Sequence, residues 1–176
     1  MPTYIAFLRA INLGANRKFP KAAIVRACEE AGFTEVETYL NTGNVRVTTS
    51  MRSVAKVEAA LEKAFADEAG FDVPTIALTQ KELCDIAADA VELGEEHDGR
   101  YYVSLLKKSP TGATVTKLDD AGRAGEHAIV RGRGAHLLLG KDYHTAKLTN
   151  AVVEKHLGVA TNRNLNVIRT LAEKWG

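Results

Sequence analysis

Val36-Glu37-Thr38-Tyr39-Leu40-Asn41-Thr42-Gly43-Asn44-Val45-Arg46-Val47-Thr48-Thr49 is the stretch whose reading decides the fold. Val36 to Leu40 and Val45 to Thr49 are β-rich runs, and Asn41-Thr42-Gly43-Asn44 between them consists of residues that accept turn backbone and positive φ. They read as a hairpin. Upstream, Pro20 opens a helix over Lys21 to Ala31, with Ala23, Ile24, Ala27, Cys28 and Ala31 at helical spacing and Gly32 as its stop. Before that helix, Tyr4 to Leu8 is a short apolar strand, followed by the polar loop Asn12 to Lys18. Downstream, Ser53 caps a second helix with the stripe Val54, Val57, Ala60, Leu61, Ala64 and Phe65, ended by Gly70, and Val73 to Leu78 is a fourth strand. The order β-α-β-β-α-β is the split arrangement of ferredoxin-like folds.

The pattern then partly repeats. Thr79 to Glu82 open a helix through about Val91, and Glu92 to Gly99 reads as an acidic, solvated linker. Tyr101 to Leu106 is a strand, Pro110 to Ala121 a helix, Ala128 to Val130 and Ala135 to Leu139 a hairpin about Gly132-Arg133-Gly134, and Thr145 to Leu157 a helix closed by Gly158. The last strand is expected to be missing or shrunk to Val159–Thr161, with Asn164 to Trp175 helical. The predicted class is α+β: two ferredoxin-like (β-α-β-β-α-β) units in tandem, over 1–79 and 100–176, the second incomplete and ending in a helix. Residues 80–99 form a linker helix and acidic loop.

Composition adds bounds. With 45% hydrophobic and 26% charged residues the chain can bury a core. Its amino terminus has no basic stretch ahead of a long apolar one, and no later run is long enough to span a bilayer, so the protein reads as cytoplasmic. Cys28 and Cys84 lie far apart in helical patterns and read as two buried thiols. Residues 100–176 carry 13 basic against 6 acidic side chains, a balance that attracts phosphates.

Chain direction gathers the candidate site. In this topology the loop after strand one and the turn between strands two and three emerge at the same end of the sheet, since both follow strands pointing the same way. Arg9, Asn12, Asn16, Arg17 and Lys18 are therefore expected near Asn41, Thr42 and Asn44. Amide and hydroxyl donors with two or three cations suit an anion or a nucleic-acid backbone. A second cluster, Thr161-Asn162-Arg163-Asn164-Leu165-Asn166, is expected to open the last helix, where free N–H groups favour anions; Lys147 is expected nearby. Ligand-binding candidates are thus Arg9, Asn12, Asn16, Lys18, Asn41, Thr42, Asn44, Lys147, Arg163, Asn164 and Asn166. Each asparagine taken singly is also an ordinary turn or cap residue.

Other chemistry finds little support. His97, His127, His136, His144 and His156 lack metal-ligand spacing, so no metal is assigned, and no dinucleotide, phosphate-loop or serine-hydrolase motif occurs. No cofactor is assigned, and no catalytic motif is identified. Arg131, Arg133, Lys107 and Lys108 would give the second unit a basic tip. Tyr101, Tyr102 and Tyr143 are aromatics that could stack on bases, with Tyr101 and Tyr102 on opposite faces of their strand.

Three stretches, Tyr4 to Gly14 (YIAFLRAINLG), Thr38 to Val45 (TYLNTGNV) and Thr161 to Asn166 (TNRNLN), together resemble the bacterial domain of unknown function 1697 family, and Lys147-Leu148-Thr149-Asn150 fits it too. Ala10 replaces a usual glycine, Asn41-Thr42 a common Gln-Ser, and Leu165 a frequent tryptophan. The resemblance implies an α+β structure of two related ferredoxin-like units and imports no catalytic residue. Partner expectations are therefore chemical: nucleic acid or a phosphorylated small molecule, and no membrane. The alternatives are a small-molecule enzyme using Lys18 or Lys147, and a protein-interaction module.

Overall fold

The computed structural model describes the backbone of residues 1–176 and every side chain except that of Tyr143. The chain is α+β, with two four-stranded antiparallel sheets and six α-helices. It divides into two compact units, Met1–Gln80 with Trp175, and Lys81–Lys174 with Gly176.

The first unit runs β1 (Thr3–Leu8), α1 (Lys21–Glu30), β2 (Thr34–Tyr39), β3 (Asn44–Thr48), α2 (Val54–Ala69), β4 (Thr75–Thr79). Its strands lie in the order β2-β3-β1-β4. Alternation sends Tyr4, Ala6 and Leu8 of β1 and Val45 and Val47 of β3 to one face, where they meet Ala23, Ile24, Ala27 and Cys28 of α1 and Val57, Leu61 and Phe65 of α2. Phe19 closes this core edge-on to Phe65, ring centroids 5.5 Å apart. The Ser53 hydroxyl caps α2 by accepting the Lys56 N–H at 3.4 Å, and Gly70 ends it in the left-handed conformation at φ 80°. Cys28 is buried as expected, and burial pushes its thiol up to about 12. Cys84, expected to be buried, is exposed instead, on the solvent side of its helix.

The second unit follows α3 (Gln80–Gly94), most of which it includes. It runs β5 (Tyr101–Leu106), α4 (Gly112–Asp120), β6 (His127–Arg131), β7 (Gly134–Leu138), α5 (Asn150–Leu157), β8 (Ala160–Asn164), α6 (Leu165–Trp175), with strand order β6-β7-β5-β8. Leu106, Leu118, Ala135, Leu137, Leu148, Val153 and Ala160 make the core beneath α4 and α5. Two expectations are corrected. The fourth strand is complete: β8 pairs with β5 from Tyr102↔Asn164 to Leu106↔Ala160. Its polar sequence, Ala-Thr-Asn-Arg-Asn, hid it from an apolar-run reading. The helix expected from Thr145 begins at Asn150, because the Glu126 carboxylate takes the N–H groups of Lys147 and Leu148 and the Thr149 hydroxyl caps the turn that follows.

Both units close their sheets alike. Strands β4 and β8 are each the last in their sheet's order, leaving outward N–H groups that water or another strand would claim. Glu62 accepts the Thr75 N–H at 3.0 Å and buried Glu58 that of Ala77 at 3.0 Å, while Glu154 accepts that of Ala160 at 3.1 Å. No described helix is long and apolar enough to cross a membrane.

Candidate functional site

The rim of the first unit is built where β1 ends. The Leu8 N–H donates to the Gly43 carbonyl at 2.9 Å and the Arg9 N–H to that of Pro74 at 2.9 Å, so the loop leaving β1 passes over the β2–β3 turn. From there the backbone turns sharply, with positive φ at Ala10, Asn12, Gly14 and Arg17. A miniature hairpin results. The Asn12 N–H donates to the Arg17 carbonyl at 2.8 Å, and the Asn16 N–H to that of Leu13 at 3.1 Å.

One side chain fastens this loop to the turn. The Asn12 amide donates to the Asn41 carbonyl at 2.7 Å and the Phe19 carbonyl at 3.0 Å, and its oxygen accepts the Phe19 N–H at 2.8 Å. The left-handed backbone of Asn12 makes this reach possible, and asparagine tolerates it better than most residues. Beneath the turn, a Cβ on Gly43 would stand 2.7 Å from Leu8 Cβ and 2.9 Å from Ile11 Cδ1. Gly43 is therefore a close-approach residue as well as a turn former. Buried Asn44 holds the turn from inside, donating to the Tyr39 carbonyl at 2.8 Å and the Thr42 hydroxyl at 3.2 Å. Arg17 is structural too: it donates to the carbonyls of Ala10 and Asp72 and lies 4.5 Å from the Phe71 ring centroid.

The expected convergence of loop and turn is thus present in the first unit, with roles divided. Asn12, Asn44 and Arg17 build the rim; Asn16, Lys18, Asn41 and Thr42 are exposed upon it, and Arg9 is half-buried. Two further residues escaped the sequence reading. Leu13 is 57% exposed and Leu40 42%, and they are the chain neighbours of Asn12 and Asn41, the two ends of the bond just described. Leu40 also has φ 60°, which no leucine signals in advance.

In the second unit the candidates scatter. Lys147 is exposed on the approach to α5. Arg163, expected at a helix start, lies within β8, 6% exposed, donating to the Thr161 hydroxyl and the Asn162 carbonyl at 2.8 Å. Burial pulls its guanidinium down to about 10. Asn164 is the N-cap of α6, accepting the Val167 N–H at 2.9 Å. With Asn166, Arg100 and Tyr102 it lines a cleft of about 240 Å³.

The basic tip is also revised. Arg131 pairs with Asp89 at 3.0 Å and Glu92 at 3.3 Å, and Arg133 with Glu82 at 3.3 Å while donating to the Leu106 and Lys107 carbonyls. Both arginines line a cleft of about 430 Å³ against the acidic side of α3, so their charge is met internally. Tyr101 is committed as well. Its hydroxyl meets buried His136 Nδ1 at 2.8 Å, and burial brings that imidazole down to about 4 while raising the phenol. Tyr102 is half-buried against the α4–α5 core, and the side chain of Tyr143 lies outside those described. A buried polar knot was missed: the Ser104 hydroxyl reaches the amides of Asn150 and Asn162 beneath α5. Among the described residues, no group of three or more His, Cys, Asp or Glu is placed to hold a metal.

Comparison with known proteins bears on this geometry. No curated protein matches the sequence. Among solved structures, a conserved bacterial protein, SP0830 from Streptococcus pneumoniae, is similar with a TM-score of 0.73 at 19% identity, over 99% of this chain and 98% of that one. At that identity the likeness speaks for the fold alone. A family model described as protein of unknown function (DUF1697) matches residues 1–135, a span holding β1 to β6 and the whole rim of the first unit. The chain belongs to the DUF1697 family of proteins of unknown function.

Proposed function

We propose that the protein binds a phosphate-bearing ligand, nucleic acid or nucleotide, at the rim of the first unit. The observation that carries this reading is the 2.7 Å bond from Asn12 to the Asn41 carbonyl, which makes one surface of two segments about thirty residues apart in sequence. On that surface Asn16, Asn41 and Thr42 offer exposed amide and hydroxyl donors, Lys18 an exposed cation, and Arg9 a second positive group. Only Asp72 opposes them among the charged residues of the rim segments 9–18, 40–44 and 71–75. Donors fixed on a stiff frame lose little entropy when they engage phosphate oxygens, and the cations add a salt-dependent attraction.

The architecture has a matching proposal. Each unit is a ferredoxin-like fold and the pair an internal duplication, supported by the shared strand order and by the common carboxylate device on β4 and β8. The second unit's candidates Lys147, Arg163, Asn164 and Asn166 are a lesser part of the reading, since Arg163 is buried and Asn164 is used as a cap.

Fluorescence anisotropy with labelled oligonucleotides and with a labelled nucleotide, at several salt concentrations, tests this. Expected is binding that weakens as salt rises, and that weakens at fixed salt in Lys18→Gln. Absence of binding to every phosphate-bearing probe at low salt would refute the reading.

A further inference from the structure

Leu13 and Leu40 are not explained by phosphate recognition. Five large hydrophobic side chains stand exposed among the described residues, and two of them flank the Asn12–Asn41 bond. Neither is incidental to a floppy loop. Leu13 is paired with Asn16 across a miniature hairpin closed by two backbone hydrogen bonds, and Leu40 is held in a left-handed backbone that disfavours a leucine. Strain combined with apolar exposure, next to polar side chains that need no help staying soluble, marks a surface that becomes covered.

The covering partner must present apolar surface, negative charge and groups that pair with amides. Exposed Asn16 and Asn41 each offer a donor and an acceptor, and Lys18 supplies positive charge. A lipid headgroup divides acceptors and donors between its phosphate and its ammonium or hydroxyls, whereas a single base edge donates and accepts side by side, as an amide requires. In a duplex the base faces are stacked on one another and an aliphatic side chain reaches them only by unstacking a step; in a single strand they are open. Resting on the reading above and narrowing it, we infer that this rim takes single-stranded nucleic acid, with Leu13 and Leu40 against base faces and Asn16 and Asn41 at base edges.

The test compares a labelled single-stranded 12-mer, its duplex and anionic phosphatidylserine vesicles against wild type, Leu13→Ser, Leu40→Asn and Leu13→Met. Leu40→Asn keeps a residue suited to positive φ, and both leucines are surface groups, so the fold survives. Expected is single-strand binding roughly five- to tenfold weaker in Leu13→Ser and in Leu40→Asn, restored in Leu13→Met, with the slope against salt unchanged, and a duplex bound less well than the strand. Salt-dependent binding indifferent to both leucine substitutions, or a duplex bound as tightly as the strand, would overturn this inference and leave the phosphate-ligand reading standing. Vesicle binding abolished by Leu13→Ser, without oligonucleotide binding, would also overturn it and assign the leucines to a membrane.

Discussion

The two units end their first strands in the same way and put different things there. In the first, Leu8 N–H reaches the Gly43 carbonyl and Arg9 N–H that of Pro74; in the second, Leu106 N–H reaches the Arg133 carbonyl and Lys107 N–H that of Val159, all at 2.9 to 3.0 Å. Gly43 and Arg133 thus occupy matching positions. With no side chain, Gly43 lets Leu8 and Ile11 close over the turn and frees the rim above for Asn12, Asn41 and Lys18. Arg133 fills the same place with a guanidinium that holds two carbonyls and Glu82. One topology therefore supports an open polar rim or a sealed one, and the side chain at a single turn position separates them. Lysines and arginines are more numerous in the second unit, but Arg131 and Arg133 at its matching turn are already engaged by α3, whereas Asn16, Lys18, Asn41 and Thr42 stand exposed on the rim of the first.

The largest expected effect follows from this difference. Gly43→Ala forces a Cβ into Leu8 at positive φ and should destabilise the protein by about 3 kcal/mol, read as a lowered denaturation midpoint. Gly132→Ala, at φ 57° with nothing within 4 Å of its would-be Cβ, should lower it by only about 1 kcal/mol. Equal losses would break the comparison.

Acid should separate the units next. All five histidines lie beyond residue 96, and buried His136 titrates near 4 rather than at its ordinary 6.5, with Asp89 and Arg131 the charged groups acting on it. Between those values the unfolded chain holds a proton that the folded one refuses, so stability is full above 6.5 and falls as pH drops toward 4, by up to about 3 kcal/mol. Amide protection factors in β5 to β8 should fall over that window more than those in β1 to β4, and His136→Gln should flatten the dependence. An equal loss of protection in both sheets would contradict the assignment.

A smaller effect probes the fastening of the rim. Asn12→Ala removes three hydrogen bonds and should destabilise the first unit by about 2 kcal/mol. Cys28 reports this independently: its buried, protonated thiol should label far more slowly than exposed Cys84, and Asn12→Ala should speed only Cys28. Least of all, Lys18→Gln should shift stability by under about 0.5 kcal/mol while lowering the salt slope of single-strand binding by about 0.7.

Much of this was legible in the chain. Helical stripes, the glycine stops and the Asn41–Asn44 turn placed every element of the first unit, and chain direction brought Asn12 to Asn41. What escaped has physical causes. Strand β8 lacks an apolar run because the Thr161 and Arg163 side chains bond within it instead. The basic tip looked open because ion pairs to α3 span about forty residues and leave no local mark. The bracing role of Asn12 and Asn44 left no mark in advance, because an amide that braces a loop and one that meets a ligand are the same residue in sequence. Leu13 and Leu40 passed as ordinary loop residues, since exposure is a property of the folded surface.

The most direct measurement is an amide-resolved NMR titration of the protein with a single-stranded oligonucleotide at low salt. The account predicts shift changes concentrated at residues 9–18 and 40–44, with those at 107–110 and 131–134 unmoved. Changes centred on the second set, or spread evenly over both, would contradict it.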